Sequence, residues 1–431
     1  MDLVEDCASR DFLQALTAEK QLTFPYRRQH LRFQVSQELF SSYQVDTGTQ
    51  LLLKTASELA ASEQVNKVLD LGCGYGPLGL AFAAAREQRQ VHLVDRDALA
   101  VQFTQTNARL NKLNNILTYG SLGYDDVNDN NFDLLLSNIP GKAGLPAIES
   151  MLLDARQILN PQGIAAVVVV SPLADPVTEI LTRPDVEILL REEGSEHVVF
   201  HYRFLGTANP PSLDSGKNGE NHNQTILVFA PGAFDRGFYD RGSMDVDYRG
   251  LKFNMQTVRG LPEFDKISHQ TELLFSTLEK VRSGKKSVQH VLIFNPRQGH
   301  VPVGIHKQLN PRFITLIDRD LLALRSSKRN LLANGRSQEN LSLRHQVNLE
   351  ADGLPAPDLI LGVLRDSEGP AANYEYIRQA AGLLAPKGQL TISASSTTIT
   401  RLEKTIKQNK LMTVKQRKRN RAKRLLILET R

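Results

Sequence analysis

The chain has 431 residues, of which 41% are hydrophobic, and a formal net charge of +5. That length suggests two or three domains, and the apolar fraction supports buried cores. No apolar run approaches the ~18–20 residues of a membrane span. The acidic start, Met1-Asp2-Leu3-Val4-Glu5-Asp6, does not read as a secretory signal. Two cysteines, Cys7 and Cys73, exclude a disulfide framework and a Cys-rich zinc site. The expectation is a cytoplasmic protein with no membrane partner and no structural metal.

The charge is uneven. Residues 401–431 hold 12 Lys/Arg against 2 Asp/Glu, leaving 40 against 45 for the rest. A basic end on a near-neutral body is an electrostatic contact suited to phosphate backbones.

In chain order, Asp11 to Leu22 reads as an amphipathic helix, Phe24-Pro25-Tyr26-Arg27-Arg28 as a loop, and Leu31 to Phe40 as strand-like. Asp46-Thr-Gly-Thr-Gln-Leu-Leu-Leu53 leads into a helix reaching about Ala61. Val68 to Leu71 is a short buried strand, apolar except for Asp70. It is followed by Gly72, Gly74 and Gly76 at every second position, and Pro77 then suits a first helical turn. Val91 to Val94 is a second strand ending in Asp95. Glycines let the backbone turn sharply and let a ligand approach the peptide groups. An acid at the next strand end can accept from a ribose diol. Arg96 and Asp97 flank that acid; both are expected to face solvent, with Arg96 a further residue on the cofactor side.

A helix over about Leu99–Asn111 follows, then a strand at Leu117–Tyr119 and the acidic loop Tyr124-Asp125-Asp126-Val127-Asn128-Asp129. Phe132 to Asn138 is a fourth strand, and Ile148 to Leu159 a helix. Asn160-Pro161-Gln162-Gly163 is a turn into an apolar strand, Ile164 to Val170. Val186–Leu190 and His197–Phe204 form a hairpin. Strands alternating with helices indicate a mostly parallel sheet covered on both faces. Residues 206–224 are a linker by composition.

Beyond the linker the pattern returns. Val291 to Gly299 sits 223 residues after Val68 to Gly76, and Asp318 falls at the same offset from Asp95. Asp358 to Leu361 repeats Asp133 to Leu136, and Ala385-Pro386-Lys387-Gly388 repeats Asn160 to Gly163, both shifted by 225. Matching elements in one order at nearly one offset define two copies of one domain, spanning 1–205 and 225–431. The copies differ where chemistry should be. Asp70, Gly72 and Gly74 become Ile293, Asn295 and Arg297, and Ser137-Asn138-Ile139-Pro140 becomes Gly362-Val363-Leu364-Arg365. The second copy therefore reads as degenerate and non-binding. Its run Lys415 to Arg424 reads as the tip of a closing hairpin able to hold RNA phosphates.

The loop Asp70-Leu-Gly-Cys-Gly-Tyr-Gly76 resembles that of class I S-adenosylmethionine-dependent methyltransferases, and the tandem arrangement is similar to that of the rRNA guanine-N2 methyltransferases. The resemblance implies an α/β fold of two Rossmann-like, seven-stranded, mostly parallel sheets, each with an antiparallel edge hairpin. It also implies S-adenosylmethionine as cofactor, held by Thr49, Gln50, Asp70, Gly72, Gly74, Gly76, Asp95, Arg96 and Asn138. Asn138 and Pro140 would serve the chemistry. An amide oxygen and a turn carbonyl can hold the two N–H bonds of an exocyclic amine and favour a pyramidal, nucleophilic nitrogen.

Two departures stand out. The family's Asn-Pro-Pro-aromatic is here Asn138-Ile139-Pro140-Gly141, and the intact loop is in the first copy rather than the later one. Tyr124 and Tyr43 are candidate substitutes for the missing aromatic, each also an ordinary packing tyrosine. The leading expectation is a methyltransferase acting on ribosomal RNA. A protein or small-molecule methyltransferase, or a non-catalytic RNA-binding protein that keeps a cofactor pocket, are the alternatives.

Overall fold

The computed structural model describes residues 7–17, 21–39, 44–206, 231–283 and 288–430. Tyr43 and all but the first residue of the expected linker lie outside them. The first half opens with helix α1 (Cys7–Leu16) and a two-stranded ribbon, β1 (Leu22–Tyr26) and β2 (Gln29–Phe33). Helices α2 (Thr47–Thr55) and α3 (Ser57–Ala61) lead into seven strands. These are β3 (Lys67–Leu71), β4 (Gln90–Asp95), β5 (Ile116–Gly120), β6 (Phe132–Asn138), β7 (Leu159–Val170), β8 (Val186–Glu193) and β9 (His197–Phe204). Their spatial order is β5-β4-β3-β6-β7-β9-β8, parallel except for β9. Helices α4 (Pro77–Ala85), α5 (Ala98–Leu110), α6 (Leu145–Leu153) and α7 (Ala174–Leu181) supply the crossovers. Val68, Leu69, Leu134 and Leu135 are fully buried, as strands covered on both faces must be.

The second half repeats this. A ribbon of β10 (Asp240–Tyr248) and β11 (Leu251–Val258) and helix α8 (His269–Ser283) precede β12 (His290–Phe294), β13 (Phe313–Asp318), β14 (Leu341–His345), β15 (Leu359–Val363), β16 (Gln389–Ser395), β17 (Thr413–Asn420) and β18 (Lys423–Glu429). The order β14-β13-β12-β15-β16-β18-β17 is the same. Helices α9 (His300–Leu309), α10 (Leu321–Ala333), α11 (Gly369–Leu383) and α12 (Ser396–Gln408) connect them. The repeat extends to details. Asn107 clamps Gln34 through both N–H and C=O and also reaches the Tyr75 carbonyl, while Asn330 does the same with Gln256 and the Gln298 carbonyl.

Three expectations are corrected. Phe24-Pro25-Tyr26 is strand, not loop, because Pro25 sits in a two-stranded ribbon where an edge position tolerates a missing N–H. The strand-like stretch from Leu31 ends at Phe33 rather than Phe40. Asn160 to Gly163 is not a turn before β7 but an extra loop within it. Phe132 pairs with Leu159 and Leu134 with Ile164, so the four residues bulge out between them.

The two halves meet along a seam with two-fold character. Asp97 and Asp320 form an antiparallel bridge; Ala98 N–H donates to the Arg319 carbonyl at 2.7 Å and Leu321 N–H to the Arg96 carbonyl at 3.0 Å. Arg96 pairs with Asp320 at 3.2 Å and Arg319 with Asp97 at 3.3 Å. Arg319 also reaches Glu38 and the buried Glu368. Arg325 binds Asp125 and Asp126 of the acidic loop at 2.7 and 2.6 Å. Gly120 leaves room for His345, whose ring would lie 2.4 Å from any Cβ there. Phe12 of α1 crosses over to pack edge-on against Tyr376, which stacks on Phe294 at the end of β12.

Candidate active site

The strand order reverses direction between β3 and its neighbours β4 and β6, which opens a crevice at their carboxyl ends. Gly72, Gly74 and Gly76 line it, with φ of 76°, 58° and 94°. The loop is tied down by Gly72 N–H and Cys73 N–H, both donating to the Val94 carbonyl, and by the Thr104 hydroxyl, which donates to the Gly74 carbonyl at 2.9 Å. Cys73 is buried filler, as expected. A Cβ at Gly72 or Gly74 would meet nothing within 4 Å, so the space in front of the loop is open. At Gly76 it would strike Leu80 at 2.8 Å; that glycine serves helix packing.

Asp95 links loop and strand. Its Oδ2 accepts from Gly74 N–H at 2.9 Å and its Oδ1 from Asp97 N–H at 2.9 Å, leaving a lone pair on each oxygen for an incoming diol. Asp70 is wholly buried. Its Oδ2 accepts from Gly79 N–H at 2.7 Å in the first turn of α4, and its Oδ1 has no hydrogen-bond partner among the described residues. Asp70 therefore shapes the turn from beneath. Burial pushes the Asp70 carboxyl up to about 7 and that of Asp95 up to about 6. Open space, two ribose acceptors and an acid-rich wall fit a cationic adenosyl sulfonium.

These raised carboxyls carry a sign. Their stabilising contribution is present below the ordinary carboxylate range and is lost as pH rises through about 6 to 7. Ribose hydroxyls donate to the ionised form of Asp95, so cofactor affinity runs the other way. Calorimetric titrations should give a constant Kd above pH ~7 and a loss approaching tenfold per unit below about 6. Asp95→Asn should flatten that profile.

Asn138 ends β6. Its Nδ2 donates to Asp46 Oδ2 at 3.0 Å and Thr49 Oγ1 at 3.1 Å. A carboxylate only accepts, so Asp46 fixes which way the amide faces and, among the described residues, leaves the Asn138 oxygen without a hydrogen-bond partner. Asp46 also caps α2 by accepting from Thr49 N–H, and His197 lies 4.0 Å away. Ser137 Oγ ties β6 to the Leu71 carbonyl at 2.8 Å. Ile139 is buried, Pro140 exposed, and the Pro140 carbonyl accepts from Ala143 N–H to close the turn.

Thr49 thus sits at the site, but through Asn138. Gln50 is exposed, and its amide donates to the Val45 carbonyl. Arg96 and Asp97 are both drawn into the seam, Arg96 with its side chain still 38% exposed and Asp97 half-buried. Tyr124 is an ordinary packing residue, its hydroxyl donated to the Met151 carbonyl at 2.6 Å. The sequence reading missed Asp46 and His197. Asp46 was explicable as a helix cap alone, and only the fold brings its second partner near.

The second half shows how the same scaffold is filled. Asn295 and Arg297 hold φ of 50° and 57°, the left-handed values of their glycine counterparts. Arg297 is locked by the buried Glu263 at 2.5 Å and by Gln270. Arg365, at the position matching Pro140, binds Asp318, the counterpart of Asp95, at 2.6 Å. Two guanidinium groups of the chain thus stand at the positions matching Gly74 and Pro140, each paired with an acid. Arg297 was expected from the sequence; Arg365 was not.

Two such sheets, one with an open glycine loop and a ribose acid at its switch point, define a class I S-adenosylmethionine-dependent methyltransferase architecture. The methyltransferase small domain family model matches residues 30–184, within the first half. The chain is 30% identical over 142 residues to Uncharacterized protein YbxB of Bacillus subtilis, covering 33% of this chain and 69% of that one. It belongs to the methyltransferase small domain family, whose cofactor is S-adenosylmethionine. It is also 34% identical over 145 residues to Ribosomal RNA small subunit methyltransferase C of Actinobacillus pleuropneumoniae, spanning 32% of this chain and only 42% of that enzyme. Among solved structures, a 16S rRNA N2 methyltransferase of T. thermophilus in complex with AdoMet and guanosine matches with a TM-score of 0.63. The match covers 96% of this chain and 98% of that one at 16% identity, and so shares the two-domain fold.

Proposed function

We propose that the first half methylates an exocyclic amine of an RNA base, ribosomal RNA being the substrate in the relatives' name and guanine N2 the atom named for the T. thermophilus enzyme. The observation that carries it is the Asn138 amide, at the carboxyl end of the strand beside β3, pinned by Asp46 and Thr49 and with no partner on its oxygen among the described residues. When bound, S-adenosylmethionine supplies an activated methyl group. Asp95 would hold its ribose, and the open backbone at Gly72 and Gly74 would pass beneath it. The Asn138 oxygen accepts one N–H of the target amine, so that the nitrogen lone pair is turned toward the methyl. Positioning does most of the work, since the leaving group is already activated.

Gly141, where an aromatic would stack on a base, favours a second reading in which the acceptor is a protein or a small molecule. In its place an apolar wall, the exposed Val170 with Leu173, lies against Gly141. Nucleoside mass spectrometry of ribosomal and transfer RNA from a deletion strain decides between them. We expect one N2-methylguanosine to be missing and to be restored in vitro by the chain with S-adenosylmethionine. An unchanged profile, with methyl label entering protein, supports the second reading instead.

A further inference from the structure

The basic hairpin of β17 and β18 is less available than its sequence suggests. Lys415 pairs with Glu429, Arg417 with Glu403 and Lys423 with Asp366, while Lys418 and Arg424 donate to Ser276 and Thr400. A different surface lies nearer the candidate site. Helix α2 buries Gly48, Thr49, Leu52 and Leu53 and turns Thr47, Gln50, Leu51 and Lys54 outward, a stripe at i, i+3, i+4 and i+7. This stripe floors a cleft of about 610 Å³ between the β1–β2 ribbon and the β8–β9 turn.

Among the described residues the cleft lining carries three basic side chains, Arg27, Lys54 and His197, and no carboxylate. The turn's Glu193 and Glu196 lie outside it, and Glu193 is engaged by Arg191. Arg27 donates one nitrogen to the Ser57 carbonyl; among the described residues neither it nor Lys54 has an acidic partner. Phe24 lies half-exposed on the same wall, its ring parallel to that of Tyr26 at 6.5 Å. At one end of the stripe Thr47 Oγ1 is 3.4 Å from His197, which flanks Asp46 and hence Asn138. At the other end Lys54 lies about 10 Å along the helix axis.

We infer that this cleft holds the single-stranded RNA adjoining the target base, with phosphates on Arg27 and Lys54 and a neighbouring base against Phe24. Cations tracking a backbone beside an aromatic platform are what sequence-tolerant single-strand binding uses. The inference rests on the RNA reading above and adds to it the path of the strand.

The test is fluorescence anisotropy of the full chain with a short labelled single-stranded RNA over a range of salt. Arg27→Ala/Lys54→Ala should weaken binding about tenfold or more and reduce the slope of log K against log salt by about 1.4, two phosphate contacts' worth. Phe24→Ala should weaken it roughly fivefold or more with the slope unchanged. Thermal melts check that each variant folds, and Lys54→Glu at its exposed position gives the same direction if the double variant does not. If the double variant binds like the native chain while Arg419→Ala/Arg421→Ala loses binding, the cleft is overturned and the RNA reading stands. A native chain with no measurable RNA affinity overturns both.

Discussion

Gly74→Arg should abolish S-adenosylmethionine binding while leaving the protein folded. The second half has already made this change: Arg297 occupies the equivalent place with φ of 57°, against 58° for Gly74. A Cβ at Gly74 meets nothing, so the backbone accepts the side chain at a strain of about 1–2 kcal/mol for a left-handed non-glycine residue. The long cation then lies in the space in front of the loop. Calorimetry should show affinity reduced at least ~100-fold, about 2.7 kcal/mol. Undiminished binding would show that the cofactor does not sit on this loop.

Asn138→Ala should separate chemistry from cofactor binding. Removing one preorganised partner of a developing charge typically lowers kcat by roughly 10²–10³. Affinity for S-adenosylmethionine should change little, because Asp95 and the glycine backbone remain. Asp46→Ala should fall between native and Asn138→Ala, since it leaves the amide in place but free to turn. Single-turnover methylation assays check both. An Asn138→Ala chain with native kcat would remove this residue from the reaction.

Much of the fold was readable because buried parallel strands announce themselves as short apolar runs, and because the same runs recur 223 to 225 residues later. The glycine loop and Asp95 were readable for a local reason: their spacing serves a backbone geometry with few alternatives. What escaped depends on distance along the chain. Asp46 meets Asn138 across 92 residues. Arg365 reaches Asp318 across 47, from a position matching a proline. Arg96 looked like a solvent or cofactor residue until the second half supplied Asp320. Pro25 hid a strand, because proline reads as a breaker wherever edge positions cannot be distinguished from central ones.

The junction at Asp97 and Asp320 has an implication for how the molecule tolerates change. Each half offers the other the same arginine–aspartate pair and the same backbone donor, as identical subunits do across a dyad. Those residues follow Asp95 and Asp318 in the chain, and their side chains pair across the seam. Cohesion and chemistry are thus written in separate side chains. One lobe can carry guanidinium groups at positions where the other has Gly74 and Pro140 while its grip on the sister lobe is kept.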